Sequence, residues 1–117
     1  MHAEDLIRLQ HMRDAAESAL RFVRGRKRQD LDDDEMLLFA LVRAVEIIGE
    51  AATRVSADTR AVMADIPWNI IVGMRHRLVH AYFDIDRGIL WETVQKSLPP
   101  LLDQLRSALS LADDARL

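Results

Sequence analysis

The sequence predicts an all-α fold, and three observations favour it. The chain of 117 residues contains only four glycines and three prolines, so turns are scarce and the elements between them are long. Apolar residues recur every three or four positions along most of the chain, which is the period of an amphipathic helix. Hydrophobic residues make up 50% and charged residues 30%, a balance typical of a folded domain. We expect a single helical domain over residues 1–117.

The first two predicted helices occupy the first half of the chain. The first covers about residues 3–24, and Gly25 follows it as a stop signal. The second begins after the acidic run "DLDDDE", which supplies an aspartate as N-cap, and continues to about residue 55. Its apolar residues cover far more than half of its circumference, so we expect it to be central. One apolar stripe on the first helix consists of Leu6, Leu9, Met12, Ala16, Leu20 and Val23.

The second half of the chain is expected to add two more long helices. Ser56 is the predicted N-cap of an extra short helix that ends before Pro67. The third helix starts at "PW", since proline suits the first helical turn, and is expected to end near Tyr82. The fourth covers about residues 87–112, with a kink or restart near Leu98 because two prolines follow it. Short connections between four main helices predict an up-and-down four-helix bundle.

Composition excludes several classes of function. There is no cysteine, so disulfides and thiolate chemistry are ruled out. The formal net charge of −3 argues against broad, non-specific binding to nucleic acid. The start "MHAEDLIRLQ" lacks a signal-peptide apolar run, and no segment approaches the roughly 20 apolar residues of a membrane span. We expect a cytoplasmic protein that does not associate with membranes.

The stretch "GMRHRLVHAYFDID", residues 73–86, concentrates side chains suited to proton transfer and anion binding. Arg75 carries a permanently charged, planar guanidinium that matches phosphate oxygens. His80 carries an imidazole whose ordinary pKa lies near neutrality, so it can both accept and donate a proton. Metal-free cleavage of RNA needs such a pair: one group activates the ribose 2′-hydroxyl and another stabilises the charge of the transition state. Arg75 and His80 are therefore the candidate catalytic residues.

The spacing of Arg75 and His80 raises a geometric difficulty. Five residues turn a regular helix by about 500°, which leaves the two side chains roughly 140° apart. Three arrangements would bring them together. The helix loosens around His80, the long Arg75 side chain wraps round, or the site joins residues of two protomers related by a twofold axis.

Several segments of the chain resemble one known family. "IPWNIIVGMRHRLVHAYFDID" followed by "WETVQKSLPPLLDQL", together with "VRAVEIIGEAA", is similar to the HepT-like toxins of the HEPN superfamily. The signature of these toxins is Arg, four residues, His, one residue and Tyr, which corresponds here to Arg75, His80 and Tyr82. The resemblance covers most of the chain.

The resemblance implies an all-helical homodimer that acts as a metal-independent endoribonuclease, uses no cofactor and is the toxin of a toxin–antitoxin pair. The implied antitoxin is a MntA-like nucleotidyltransferase that attaches AMP to the motif tyrosine, Tyr82. A nucleotide at Tyr82 would crowd the cleft and add negative charge against incoming RNA. Neutralisation by AMPylation, by steric occlusion or by both stays open at this point, as does further assembly of the dimers with the antitoxin.

Four residues near the motif are candidates for supporting roles. His76 and Arg77 either add positive charge to the cleft or are simply solvated. Glu46 and Glu50 are either helix-surface partners of nearby cations or carboxylates that orient Arg75 or His80. The four-residue spacing of His76, His80 and Asp84 would suit a zinc ligand set, but such spacing arises easily by chance, and we expect no metal site.

Two further alternatives remain. The basic run "RFVRGRKR" lies directly before the acidic run, and we favour charge complementation of the two helix ends over contact with RNA. The alternative to a ribonuclease is a non-catalytic helical module that binds a nucleotidyltransferase partner or a nucleotide through the same groove.

Overall fold

A computed structural model describes residues 1–81 and 84–115, apart from the side chains of residues 80, 81, 114 and 115. Two short strands, β1 (Val79–Ala81) and β2 (Asp84–Ile85), pair in antiparallel orientation. A π-helical turn at Thr93–Ser97 joins the last two helices. The helices are α1 (Ala3–Phe22), α2 (Asp30–Asp33), α3 (Glu35–Thr53), α4 (Ala57–Val62), α5 (Trp68–Leu78), α6 (Arg87–Glu92) and α7 (Leu98–Ala115).

The core lies between the long helices. Helix α1 packs against α3 and α7, and α3 also packs against α5, so α3 is central as predicted. The predicted all-α class is confirmed, with the short β1–β2 pairing as an addition. No helix among the described residues combines the length and apolar character needed to cross a bilayer. The largest fully buried side chains include Leu9, Met12, Leu41, Ile48, Ile71, Met74, Leu90, Leu98 and Leu105.

The predicted helix boundaries hold where local chemistry sets them. Gly25 lies in the turn that follows α1 and has a φ of 69°, a left-handed conformation that glycine adopts without strain. Asp34 caps α3 by accepting a hydrogen bond from the Leu37 amide at 3.1 Å. Ser56 caps α4 by accepting one from the Thr59 amide at 3.3 Å. The extra short helix is therefore α4, whereas α2 is a single additional turn before Asp34.

The fourth predicted helix corresponds to α6 and α7, which are joined without a loop by the π-helical turn. The Leu98 amide donates to the Thr93 carbonyl, five residues earlier, in the π-helical turn. Pro99 and Pro100 lack the amides that an α-helix would offer to the carbonyls of the preceding turn. The interruption expected near Leu98 thus takes the form of a π-helical turn directly before the two prolines.

One predicted boundary is wrong. The third helix was expected to end near Tyr82, but α5 ends at Leu78. The reason is an alternative set of backbone partners. Val79 pairs with Ile85 across the two strands, and the Asp86 amide donates to the Leu78 carbonyl at 2.8 Å. The strand pairing therefore supplies hydrogen-bond partners for backbone groups that would have been bonded within the helix if it had continued.

Asp5 is a buried carboxylate that fastens the start of α1 to the α3–α4 turn. Only 3% of the residue is exposed. It accepts hydrogen bonds from the Ser56 amide at 2.9 Å, the Ser56 hydroxyl at 2.6 Å and the Thr59 hydroxyl at 2.6 Å. Burial by itself raises the pKa of Asp5, but the hydrogen bonds from Ser56 and Thr59 outweigh it and hold that pKa below its ordinary value. Sequence reasoning did not single out this residue.

We expect Asp5→Ala to lower the free energy of unfolding by about 3 kcal/mol, because buried donors on Ser56 and Thr59 lose their acceptor. Chemical denaturation measures the change, and the exposed neighbour Glu4 provides the control in Glu4→Ala. A lowered folded-state pKa stabilises the protein above the ordinary carboxyl pKa of about 3.9, and this contribution is lost as the pH falls below it. The difference between wild type and Asp5→Ala should shrink in acid, and a difference independent of pH would contradict the assignment.

Candidate functional site at the end of helix α5

The packing of α5 against α3 positions the candidate site. Gly49 faces the backbone of α5, and a Cβ atom built on it would lie 3.5 Å from the Ile71 carbonyl oxygen and 3.7 Å from that of Val72. A methyl group would make ordinary contacts there, so the spacing of the two helices suits glycine or alanine but not a long side chain. The buried face of α5 consists of Trp68, Ile71, Met74 and Leu78.

Trp68 fixes the start of α5. It is buried, and its indole Nε1 donates a hydrogen bond to the Met63 carbonyl at 3.1 Å. The Arg60 guanidinium lies 5.5 Å from the centre of its ring. Trp68 is therefore a core anchor, and Trp91 is partly buried against the same core.

Arg75 lies beside the buried face of α5 and is paired with Glu46 of α3. Its Nε is 3.5 Å from Glu46 Oε2, with 52% of the Arg75 side chain and 32% of the Glu46 side chain exposed. Glu46 precedes Gly49 by three residues, so both lie on the face of α3 that meets α5. An ion pair this exposed contributes little to stability. Its structural effect is to hold a long, flexible side chain at the junction of the two helices while the guanidinium remains accessible.

The other predicted carboxylate serves a different cation. Glu50 Oε1 is 3.6 Å from Arg54 Nη2 on the same helix, and both side chains are exposed. Glu50 lines a groove between α1 and α3 together with Arg8 and His11. The structure therefore brings Glu46, and not Glu50, to Arg75.

The backbone changes direction between Arg75 and His80. Helix α5 ends at Leu78, and the backbone of His80 belongs to the extended strand β1. Of the three arrangements that the spacing allowed, the described backbone shows the first, a helix that ends before the histidine. The side chain of His80 and the whole of Tyr82 lie outside the described residues.

The last turn of α5 is basic. Arg75, His76 and Arg77 follow one another there, and all three are exposed. Cations at a helix C-terminus interact favourably with the partial negative charge of the helix dipole. The same three side chains also offer positive charge to an anion. No group of three potential metal-ligating side chains converges in the part of the chain whose side chains are described.

The basic run before α2 is paired with the acidic run that follows it. Arg26 Nη2 lies 2.7 Å from Asp34 Oδ2, and Arg28 Nη1 lies 3.0 Å from Asp32 Oδ2. The hydrogen bond from Arg26 lowers the pKa of the Asp34 carboxyl below its ordinary value, and the Leu37 amide acts in the same direction. For Arg26 and Arg28, these ion pairs agree with the favoured interpretation, in which the basic run complements the acidic run rather than contacting RNA.

Comparison with known proteins identifies the family. The profile described as "Ribonuclease HepT-like" matches residues 12–108. The chain belongs to the HepT-like ribonuclease family. It is 37% identical over 101 residues to a provisionally named RNase of Caldanaerobacter subterraneus subsp. tengcongensis, covering 86% of this chain and 90% of that relative. It is 38% identical over 93 residues to the "Probable ribonuclease HepT" of Thermococcus cleftensis, covering 80% and 84%. No solved structure matches the chain significantly.

The HepT-like match includes the elements that carry the candidate site. Residues 12–108 contain α3 with Glu46 and Gly49, α5 with Arg75, and the two strands that follow. The expected resemblance is thus confirmed at the level of the family. RNA is the substrate class that this membership indicates.

The close approach at Gly49 generates a prediction about side-chain size. Gly49→Ala should raise the free energy of unfolding by about 0.5–1 kcal/mol, because its methyl group makes ordinary contacts and glycine disfavours a helix. Gly49→Leu should lower it by about 1–3 kcal/mol, since the longer side chain pushes against the α5 backbone. Urea denaturation measures both, and equal effects of the two substitutions would contradict the close packing.

Proposed function

We propose that this HepT-like chain is a metal-independent endoribonuclease and the toxin of a toxin–antitoxin pair. Family membership supports the ribonuclease class. The observation that carries the assignment of the site is Arg75, which is accessible in the last turn of α5 and held by Glu46. His80 follows where the backbone has left the helix.

In the proposed reaction His80 accepts the proton of the ribose 2′-hydroxyl, and the 2′-oxygen attacks the adjacent phosphorus. The new 2′-oxygen–phosphorus bond forms as the bond from phosphorus to the 5′-oxygen breaks, and the protonated His80 returns a proton to that oxygen. Arg75 binds the non-bridging oxygens and stabilises the charge that develops on them. The products are a 2′,3′-cyclic phosphate and a 5′-hydroxyl.

The working site is proposed to lie in a cleft between two protomers. A twofold axis near the end of α5 would bring two copies of the basic turn into one groove. His76 and Arg77 would then add positive charge along the RNA backbone.

The proposed antitoxin is a nucleotidyltransferase that transfers AMP to Tyr82. Tyr82 lies two residues after His80 in the sequence, so an adenylate on its hydroxyl would add a phosphate close along the chain to the proposed general base. The added negative charge and bulk would compete with substrate.

His80→Ala and Arg75→Ala should each reduce cleavage of RNA by about a hundredfold or more, since each removes a group acting on the transition state. Cleavage by the wild-type protein should persist in excess EDTA and yield 2′,3′-cyclic phosphate ends, measured by mass spectrometry of a defined oligonucleotide. His11→Ala and Arg54→Ala are matched controls on another face of the molecule.

Metal-dependent cleavage that survives His80→Ala would contradict the mechanism. A wild-type chain that binds the nucleotidyltransferase stably but cleaves no RNA would favour the non-catalytic module.

Glu46→Gln tests the positioning of Arg75. Loss of the carboxylate charge frees the guanidinium to adopt other rotamers, so kcat should fall roughly tenfold to a hundredfold. KM should not rise, because removing a negative charge near the site favours RNA binding. Glu50→Gln is the matched control, since Glu50 pairs with Arg54 on the same helix. Equal kinetic effects of the two substitutions, or an effect on KM alone, would contradict a positioning role for Glu46.

A further inference from the structure

A groove with an apolar floor and an acidic rim lies beside the strands that flank Tyr82. Its volume is about 510 Å³, and it is bounded by α2, the first turns of α3, strand β2 and the start of α6. Leu31, Leu38 and Ile85 form its apolar floor. We refer to it as the α2–β2 groove. Nothing in the proposed catalytic mechanism uses it.

Two large apolar side chains are exposed on the first turns of α3, and one of them, Phe39, lines the α2–β2 groove. Phe39 lines the groove with 56% of the residue exposed, and Met36, one turn earlier on α3, is 83% exposed. Residues three apart on a helix are neighbours, so the two side chains form one patch. Exposed apolar side chains grouped beside a groove are typical of a protein interaction site.

The rim of the α2–β2 groove carries uncompensated negative charge. Asp32 is paired with Arg28 at 3.0 Å and with Arg87 at 3.6 Å. Asp33 and Glu35 also line the groove, are exposed, and form no ion pair with any other residue that the structure describes. This rim repels the phosphates of RNA and attracts a surface that carries lysine or arginine.

We infer that the α2–β2 groove is the docking surface for the AMP-transferring partner, which inserts an apolar side chain flanked by lysine or arginine residues. The inference rests on the proposed function, since it assumes an enzyme that must reach Tyr82. Ile85 in the groove floor is three residues from Tyr82, and β2 is paired with the strand that contains the backbone of His80. A protein seated here contacts the strand that begins two residues after Tyr82 in the sequence, while the acidic rim keeps the docking surface separate from the RNA path.

A second copy of this chain suits the α2–β2 groove less well. In a twofold contact each surface meets the same surface of its partner. Asp33 and Glu35 of both copies would then approach one another, and like charges across an interface are unfavourable. The charge pattern thus selects a basic partner.

Two double variants test this docking: Met36→Ser with Phe39→Ser, and Asp33→Lys with Glu35→Lys. The probe is a MntA-like nucleotidyltransferase of the proposed antitoxin type, with its affinity measured by calorimetry and AMP transfer from ATP to Tyr82 followed by mass spectrometry. Each double variant should weaken binding by about tenfold to a hundredfold and slow AMP transfer in proportion. Val62→Ser and Asp103→Lys, at another groove of the molecule, are matched controls and should leave both unchanged.

Ribonuclease assays and sedimentation of the same variants separate the alternatives. Both double variants should cleave RNA with the wild-type kcat and KM and keep the wild-type oligomeric state. Unchanged binding of the nucleotidyltransferase, dissociation of an oligomer by Met36→Ser with Phe39→Ser, or a lowered KM for RNA in Asp33→Lys with Glu35→Lys would each overturn the inference. A wild-type protein that cleaves no RNA but binds the partner through this groove would contradict the proposed catalysis and leave the docking surface standing.

Discussion

The contact on which the candidate site depends is the close approach of α5 to α3 at Gly49. Carbonyl oxygens of Ile71 and Val72 lie within 3.7 Å of the position that a Cβ atom would take on Gly49, so this separation of the two helices suits a small residue there. That separation brings Glu46 on one helix within 3.5 Å of Arg75 on the other. Arg75 is therefore positioned by helix packing first and by its ion pair second, because the ion pair is too exposed to determine the packing.

The end of α5 shows how tertiary pairing shapes the motif. Local sequence is compatible with a helix that runs on past His80, yet strands β1 and β2 take over the backbone hydrogen bonds from residue 79 onward. Arginine and histidine thus belong to different types of backbone structure within six residues. In a regular helix the two side chains would point roughly 140° apart. Because the helix ends between Arg75 and His80, that constraint does not apply to them.

Positive and negative charges are concentrated on different surfaces of the molecule. The end of α5 is basic, whereas the groove beside β2 has an acidic rim and exposed apolar side chains. Two cations of the basic run before α2, Arg26 and Arg28, are in direct ion pairs with the acidic residues that follow. A chain with a net charge of −3 can therefore present a local anion-binding surface without a general affinity for nucleic acid.

The sequence by itself determined the helical class, the stop at Gly25, the N-caps formed by an aspartate and by Ser56, an interruption near Leu98 and the family, because each depends on local periodicity, backbone chemistry or a motif. The π-helical form of that interruption emerged only in the structure. The sequence also singled out Arg75 and His80 as the candidate catalytic residues and named Glu46 and Glu50 as the candidate acids for orienting them. Only the tertiary structure shows that Glu46, and not Glu50, lies beside Arg75, since residues four apart on one helix meet different neighbours. It alone decided where α5 ends and that Asp5 is buried against Ser56 and Thr59. Such outcomes depend on partners distant in the chain, and local sequence does not encode which distant groups will meet.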